Sequence, residues 1–232
     1  MNKKLLKEVL VKTLPVMTGY IVLGIGFGIL LESHGYGILW SLAMAVFIYA
    51  GSMQYVAINL ITGGASLITT ALTTLIVNAR HLFYGISMVD KYKKTGAKKP
   101  YLIFALTDET YSLVCGDDYP KDCDPHKYQL AVSFFNHVYW ITGCAAGSLI
   151  GSAISFNTAG IDFCMTALFV TIFVEQWLST KEHLPALMGL GASLICLLIF
   201  GADAFLIPSM VLIAALLLIF RKPIDRRSAE NE

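Results

Sequence analysis

Long apolar runs, separated by short polar segments, are the feature that most constrains how this chain folds. Four of them cover residues 15–31, 38–62, 65–89 and 128–154. Of the 232 residues, 56% are hydrophobic and 14% are charged, whereas soluble domains carry about 25% charged residues. About 20 apolar residues suffice to cross a bilayer as a helix. The sequence therefore predicts an all-α, polytopic transmembrane helical bundle that forms a single integral membrane domain over residues 1–232.

The number of membrane crossings can be interpreted in two ways. The apolar segments are residues 15–31, 38–62, 65–89, 101–116, 128–154, 162–178, 184–200 and 202–220. If all of them cross, the lysine-rich loop at 91–99 lies opposite both termini, against the tendency of basic loops to stay in the cytoplasm. If 101–116 and one earlier segment are re-entrant, every basic segment faces the cytoplasm. We therefore predict about six to eight membrane segments, some of them discontinuous or re-entrant, with a basic cytoplasmic N-terminus at 1–14 and a polar C-terminal tail at 221–232.

Charged residues interrupt two of these runs. Arg80 lies near the middle of 65–89, and Asp108 and Glu109 lie within 101–116. An arginine at the centre of a bilayer costs about 2.5 to 3.5 kcal/mol, and charges there persist when they are paired. We expect Arg80, Asp108 and Glu109 to form a buried charge network. Arg80 either binds a substrate carboxylate or is held by the acidic pair as a structural lock, and we favour the lock.

A polar stripe recurs along 65–89 at helical spacing. Its members are Ser66, Thr70, Thr74, Asn78, His81 and Gly85. On a continuous helix they share one face, so Thr74, Asn78 and His81 are candidates for a substrate or ion pathway. Histidine has an ordinary pKa of about 6.5, which makes His81 the first candidate for proton coupling and Glu109 the second. The alternative is that the hydroxyls bond to their own backbone and that His81 is a satisfied histidine of the bundle.

The run at 38–62 is weakened at its centre by Gly51 and Ser52, close to Gln54. A broken helix in a membrane is tolerated only where it is buried in protein or lines a water-filled cavity, and many transporter sites are built in this way. We therefore predict that the segment unwinds at Gly51 and Ser52, and that these two residues and Gln54 belong to the pathway.

The run at 128–154 carries both a candidate pair and a packing motif. Asn136 and His137 resemble the Asn78 to His81 stretch weakly, because both contain an asparagine and a histidine after an apolar lead-in. They are therefore added to the pathway candidates. Small residues at four-residue spacing let membrane helices approach closely. This spacing occurs at Gly24 and Gly28, and again at Gly143, Gly147 and Gly151.

Other chemistries find little support in the sequence. The net charge of +1 gives no reason to expect a nucleic-acid partner. The five cysteines form no C-x-x-C pair, so we predict no disulfide framework, no metal site and no cofactor. Two further alternatives are an intramembrane enzyme, with Ser52 as nucleophile and His81 as base, and a structural or sensory membrane subunit.

Four motifs give the chain a family resemblance. They are residues 50–54, then 78–81 with Tyr84 and Gly85, then 106–109, and then 162–163 with 167–169. In order and spacing they resemble the AzlC family (YgaZ type), the large subunits of bacterial branched-chain amino-acid exporters, over residues 11–180. The resemblance implies a transporter rather than an enzyme, located in the bacterial cytoplasmic membrane and exporting leucine, valine and isoleucine, with methionine as a further candidate. It also implies a small membrane subunit of the AzlD type as partner. A transporter of another small solute is the alternative.

Overall fold

The computed structural model describes residues 3–116, 123–154, 162–179, 183–201 and 205–221. Within these ranges all regular secondary structure is helical, which confirms the predicted all-α class. Besides one 3-10 turn at Gly96–Lys98, the helices are α1 (Lys3–Ser33), α2 (Ile38–Phe47), α3 (Gly51–Thr62), α4 (Leu67–Val77), α5 (Ala79–Tyr92), α6 (Lys99–Phe104), α7 (Asp108–Val114), α8 (Pro125–Ala153), α9 (Asp162–Ser179), α10 (Leu184–Phe200) and α11 (Leu206–Ile219).

The chain forms two compact units, Met1–Leu168 and Phe169–Glu232. The first contains α1 to α8 and the start of α9. In the second, α10 packs against α11, and the Trp177 ring stacks on His183 with the ring centroids 4.0 Å apart. The single-domain organisation stays a prediction, and the candidate residues all belong to the first unit.

Helices α1 and α8 pack backbone to backbone along their glycines. A Cβ atom on Gly24 would lie 2.9 Å from the Cys144 nitrogen, and one on Gly143 would lie 2.8 Å from the Tyr20 carbonyl oxygen. A Cβ atom on Gly28 would overlap the Cys144 carbonyl. The contacts advance in the same direction along both helices, so α1 and α8 are parallel. The predicted small-residue seam is confirmed, with each glycine series packed against the other helix.

The start of α1 differs from the start of the first apolar run, which the sequence analysis placed at residue 15. The helix begins at Lys3 instead, so Pro15 lies inside it. A proline there removes one backbone hydrogen bond. Leu5 and Val9 are 4% and 0% exposed and belong to the buried core cluster. Apolar burial thus explains why the segment before Pro15 is ordered as helix.

Two of the apolar segments are interrupted, as predicted. Residues 48–50 separate α2 from α3, and residues 105–107 separate α6 from α7. The position of the first interruption differs slightly from the prediction, because Gly51 and Ser52 are the first two residues of α3. In the second, Thr107 caps α7 by accepting a hydrogen bond from the Thr110 backbone N–H.

A third interruption corrects the sequence interpretation. The run at 65–89 was expected to be one continuous helix, but α4 ends at Val77 and α5 begins at Ala79. Asn78 joins them with φ −94° and ψ 7°. Asparagine is prone to leave the helical conformation because its amide competes for backbone hydrogen bonds. The polar stripe is therefore divided between two helices.

The surface of the molecule is rich in apolar side chains. Leu67, Leu39 and Phe47 are 88%, 78% and 77% exposed, and Leu198 of the second unit is 85% exposed. By length and hydropathy, α1 is the one helix within the described residues that could cross a membrane by itself. Helices α2, α4 and α10 are shorter apolar helices. This surface suits lipid or protein neighbours, and the number of crossings stays a prediction.

Candidate functional site

Each of the three interruptions is followed by a helix, namely α3, α5 or α7. The N-terminal ends of these three helices meet at one guanidinium group. Arg80, the second residue of α5, forms an ion pair between Nη1 and Asp108 Oδ2 at the start of α7. Its Nη2 atom donates a hydrogen bond of 3.1 Å to Ser52 Oγ, in the first turn of α3. A single arginine side chain therefore connects α3, α5 and α7.

The ion pair is partly accessible. The Arg80 and Asp108 side chains keep 26% and 28% of their surface exposed, whereas Ser52 is only 7% exposed. Within the described residues, Arg80 Nε and Asp108 Oδ1 have no hydrogen-bond partner. Both residues therefore retain an unused polar atom through which they could bind a further group.

The first turn of α3 presents unused backbone donors. The first hydrogen bond within this helix runs from the Gln54 N–H to the Ala50 carbonyl at 2.8 Å. The preceding N–H groups, those of Gly51, Ser52 and Met53, have no acceptor within the helix, and no side chain caps this end. Together with the helix dipole, such groups attract an anion such as a carboxylate.

Glu109 belongs to a different hydrogen-bond network from Arg80 and Asp108. Its Oε2 atom is 2.7 Å from the Tyr20 hydroxyl of α1, which is also 2.7 Å from Thr107 Oγ1. Thr107 donates to Thr110 Oγ1 at 3.0 Å. The expected charge network thus consists of one ion pair and one neighbouring carboxyl group, whose side-chain hydrogen-bond partner is the Tyr20 hydroxyl.

Helix α8 contributes three polar side chains to this region. Asn136 Nδ2 donates to Thr110 Oγ1 at 3.0 Å, and Trp140 Nε1 donates to Gln54 Oε1 at 2.9 Å. Asn136 and Gln54 are both 0% exposed. Asn136 Oδ1 and Gln54 Nε2 have no partner within the described residues. Unpaired buried polar atoms are rare in proteins, so these two are available to bind a ligand.

His137 is the third of these side chains, and both of its ring nitrogens are occupied. Nε2 lies 3.2 Å from the Ala45 carbonyl oxygen and Nδ1 lies 3.2 Å from the Tyr101 hydroxyl. Because a carbonyl oxygen only accepts, Nε2 carries the proton and Nδ1 accepts from Tyr101. This arrangement satisfies a neutral imidazole, which favours a structural role for His137 over contact with a substrate.

Tyr49 is a residue that the sequence interpretation missed. It lies in the interruption between α2 and α3 with φ 44°, a left-handed conformation that is strained for a bulky residue. Its ring stacks on His137 with the centroids 4.2 Å apart. The side chain is 3% exposed, and its hydroxyl has no partner among the described residues. The available signal was a tyrosine two residues before the Gly51–Ser52 pair.

The predicted stripe of 65–89 is only partly near this site. The Thr74 hydroxyl donates to the Thr70 carbonyl of its own helix at 2.7 Å, as the backbone-bonding alternative expected. Asn78 and His81 flank Arg80, and His81 Nδ1 lies 3.3 Å from the Asn78 carbonyl oxygen. Asn78 Oδ1 is buried without a partner among the described residues. Asn78 and His81 are therefore placed at the interruption, and Thr74 bonds to the backbone of α4.

The contacts of Ser52 bear on the enzyme alternative. Its hydroxyl accepts from Arg80, and within the described residues no hydrogen bond joins it to His81. A serine nucleophile requires a base within hydrogen-bond reach. Among the residues that the structure describes, the recorded side-chain partner of Ser52 is Arg80 and not His81.

Buried polar groups at helix interruptions, together with extensive exposed apolar surface, define an all-α membrane protein with a candidate solute site between broken helices. The family model described as AzlC protein matches residues 15–154. No solved structure was found to match the chain.

Relatives span nearly the whole chain. A Bacillus subtilis (strain 168) protein named branched-chain amino acid transport protein AzlC is 45% identical over 214 residues, covering 92% of this chain and 84% of that protein. A Helicobacter pylori (strain J99) protein described as an uncharacterized membrane protein is 40% identical over 222 residues, covering 96% and 97%. The inner membrane protein YgaZ of Escherichia coli (strain K12) is 25% identical over 209 residues, covering 86% and 82%. The chain therefore belongs to the AzlC family.

Proposed function

We propose that this protein exports leucine, valine and isoleucine, with methionine as a further substrate, across the bacterial cytoplasmic membrane. Family membership and the 45% identity to a protein named for branched-chain amino acid transport support this proposal. The structural observation that carries it is the meeting of three interrupted segments at Ser52, Arg80 and Asp108. Broken helices at a charged centre are a recurrent way of building a transporter site.

The substrate carboxylate binds at the N-terminal end of α3. The N–H groups of Gly51, Ser52 and Met53 have no acceptor within their helix, and the positive end of the helix dipole adds to their attraction. The buried Gln54 Nε2 and Tyr49 hydroxyl, both without partners among the described residues, are further donors for this group. Asn78, which is also at an interruption, completes the polar lining.

Arg80 holds the three helix ends in place. Its guanidinium already pairs with Asp108 and donates to Ser52, so a substrate does not need to replace either contact. This is the lock favoured from the sequence. A substrate-binding arginine would instead be expected to exchange Asp108 for the substrate carboxylate.

The branched side chain packs against aromatic rings. Tyr20 meets Trp140 edge to face with the ring centroids 5.5 Å apart, and Phe27 lies 6.4 Å from Trp140. An apolar wall of this kind distinguishes side chains by only about 1 to 3 kcal/mol per methylene group. We therefore expect overlapping transport of leucine, valine, isoleucine and methionine.

Export is coupled to the proton gradient, with His81 and Glu109 as the titratable groups at the interruptions. The chain acts with a small membrane subunit of the AzlD type, which is what the family resemblance implies. The exposed apolar side chains of α4, among them Leu67 and Ile68 at 88% and 74% exposure, are compatible with a lipid or a protein neighbour.

The test is efflux from cells that have been loaded with leucine, valine or methionine. Cells lacking the chain and its small partner should retain the amino acids, and restoring both should return efflux. Restoring the chain with the Ser52→Tyr substitution is the matched variant, which should not return efflux, and Ser66→Tyr at the exposed start of α4 is the control. Equal efflux with and without the restored pair would contradict the proposal.

A further inference from the structure

Glu109 is at one end of a chain of hydroxyl groups that joins α7 to α1 and α8. The Tyr20 hydroxyl lies 2.7 Å from Glu109 Oε2 and 2.7 Å from Thr107 Oγ1. Thr107 donates to Thr110 Oγ1 at 3.0 Å, and Asn136 Nδ2 donates to the same oxygen at 3.0 Å. Tyr20, Thr107, Thr110 and Asn136 are 5%, 8%, 0% and 0% exposed. Bulk water therefore has little access to this series of hydrogen-bonded side chains.

Counting the hydrogens constrains the protonation of Glu109. Each hydroxyl group has a single hydrogen to donate, and that of Thr107 is used toward Thr110. The hydrogen of Tyr20 can serve only one of its two contacts, either Glu109 or Thr107. If Glu109 is ionised, one of the two 2.7 Å contacts between oxygen atoms contains no hydrogen. If Glu109 is a neutral acid, it donates to Tyr20, Tyr20 donates to Thr107, and every contact is a hydrogen bond.

We propose that Glu109 is the group that carries the coupled proton, and that its acid form closes the hydrogen-bonded chain through Tyr20 and Thr107 to Thr110. This inference rests on the proposed function and selects between its two titratable candidates. Uptake forms one O–H bond on the Glu109 carboxylate with a proton from the outer side. Release breaks that bond and delivers the proton to the inner side, so charge and atoms balance.

Loss of the proton changes the contact between α1 and α7. The Tyr20 hydrogen then turns to the Glu109 carboxylate, because hydrogen bonds to a charged acceptor are the stronger ones. The contact between Tyr20 and Thr107 loses its hydrogen. Thr107 caps α7 and the next residue, Asp108, pairs with Arg80, so the change at Thr107 lies next to the proposed substrate site.

Titratable groups face Glu109 from several elements. They are Tyr20 of α1, Tyr49 between α2 and α3, Arg80 and Tyr84 of α5, and Asp108 of α7. His81 of α5 faces Asp108 and Arg80 of this group. Tyr111 of α7 stacks on Tyr84, and His137 of α8 stacks on Tyr49. Among them Arg80 is a permanent cation, and its partner is Asp108. The Tyr20 hydroxyl, rather than a cation, is therefore the direct side-chain contact of the Glu109 carboxyl group.

Infrared difference spectroscopy of the purified full-length protein tests this inference without requiring transport. The carbonyl stretch of a protonated carboxyl group shifts in D2O and disappears when the group ionises. We expect such a band in the wild type, its loss in Glu109→Gln, and its retention in Glu32→Gln. Glu32 is a matched control because it also accepts from a hydroxyl group, that of Ser148 at 2.8 Å. Tyr20→Phe should keep the band but change its frequency and the pH at which it disappears.

Transport in proteoliposomes provides the second measurement. Glu109→Gln, a neutral mimic of the acid form, should keep leucine counterflow but lose its acceleration by a pH gradient, whereas Glu32→Gln should keep both. A wild-type protein without a Glu109 carboxyl band, or a Glu109→Gln protein that still responds to the gradient, would overturn the inference. If the wild type moves no leucine at all, the proposed function fails, and the infrared band still decides where the proton resides.

Discussion

Arg80 is anchored to two neighbouring segments, and this accounts for a charged residue within an apolar run. It pairs with Asp108 and donates to Ser52. The sequence predicted the acidic partner because a buried charge persists when it is paired. It did not indicate which of the two adjacent carboxylates would pair, since that depends on the direction in which α7 starts after its Thr107 cap.

Removal of either partner should destabilise the protein through the charge left behind. For Arg80→Ala and for Asp108→Ala we expect a loss of about 1 to 3 kcal/mol in the free energy of unfolding. The double variant should lose less than the sum, because neither charge is then left unpaired. Thermal unfolding of the four purified proteins in the same detergent measures this. Additive losses would mean that the ion pair makes no net contribution.

Tyr49→Phe should separate stability from function. The hydroxyl group has no partner within the described residues, and an unpaired buried hydroxyl is unfavourable, so its removal should leave the melting temperature unchanged or raised. Stacking on His137 is preserved in the variant. Leucine affinity, measured from the concentration dependence of counterflow, should fall several-fold if this hydroxyl contacts the substrate carboxylate. Unchanged affinity would remove Tyr49 from the site.

At the scale of the helices, glycine spacing was the most reliable signal. Gly24 and Gly28 on α1, and Gly143 and Gly147 on α8, indicated close packing from their four-residue period, and the structure packs them against each other. Spacing alone could not identify the partner helix, because any pair of glycine faces satisfies it.

Gly28→Ala is expected to separate α1 from α8. The new Cβ would overlap the Cys144 carbonyl, and a backbone group cannot rotate away. We expect a loss of about 1 to 3 kcal/mol, as for other overpacked sites. The matched control is Gly19→Ala on the same helix, where a Cβ meets no atom within 4 Å and alanine favours the helix by about 1 kcal/mol. Equal melting temperatures for the two variants would contradict the close packing of α1 against α8 at Gly28.

The helix interruptions show where sequence reasoning succeeds and where it fails. Gly51 and Ser52 indicated the break before α3, and Asp108 and Glu109 indicated the break before α7. The break at Asn78 was missed because the run at 65–89 has an unbroken helical period and no glycine or proline at that point. The local propensity of asparagine to leave the helix is weaker than that of glycine or proline, and it was outweighed here by the apolar period of the run.

In the whole molecule, the proposed substrate site must open toward water during transport. Ser52 is 7% exposed in this structure, so a substrate reaches the start of α3 only if the surrounding helices move. Transporters of this kind expose a central site alternately to the two sides of the membrane. A cysteine at position 52 should therefore become accessible to a thiol reagent while transport proceeds.

The most direct test of the site is leucine counterflow in proteoliposomes that contain this chain and its small partner. A thiol reagent should block counterflow by Ser52→Cys but not by the wild type or by Ser66→Cys, whose position lies at the start of α4. Leucine and valine should protect the thiol of the Ser52→Cys variant from the reagent, and lysine should not. Counterflow at the unmodified rate after this thiol is labelled, or a thiol at position 52 that stays unlabelled during transport, would contradict a substrate site between the interrupted helices.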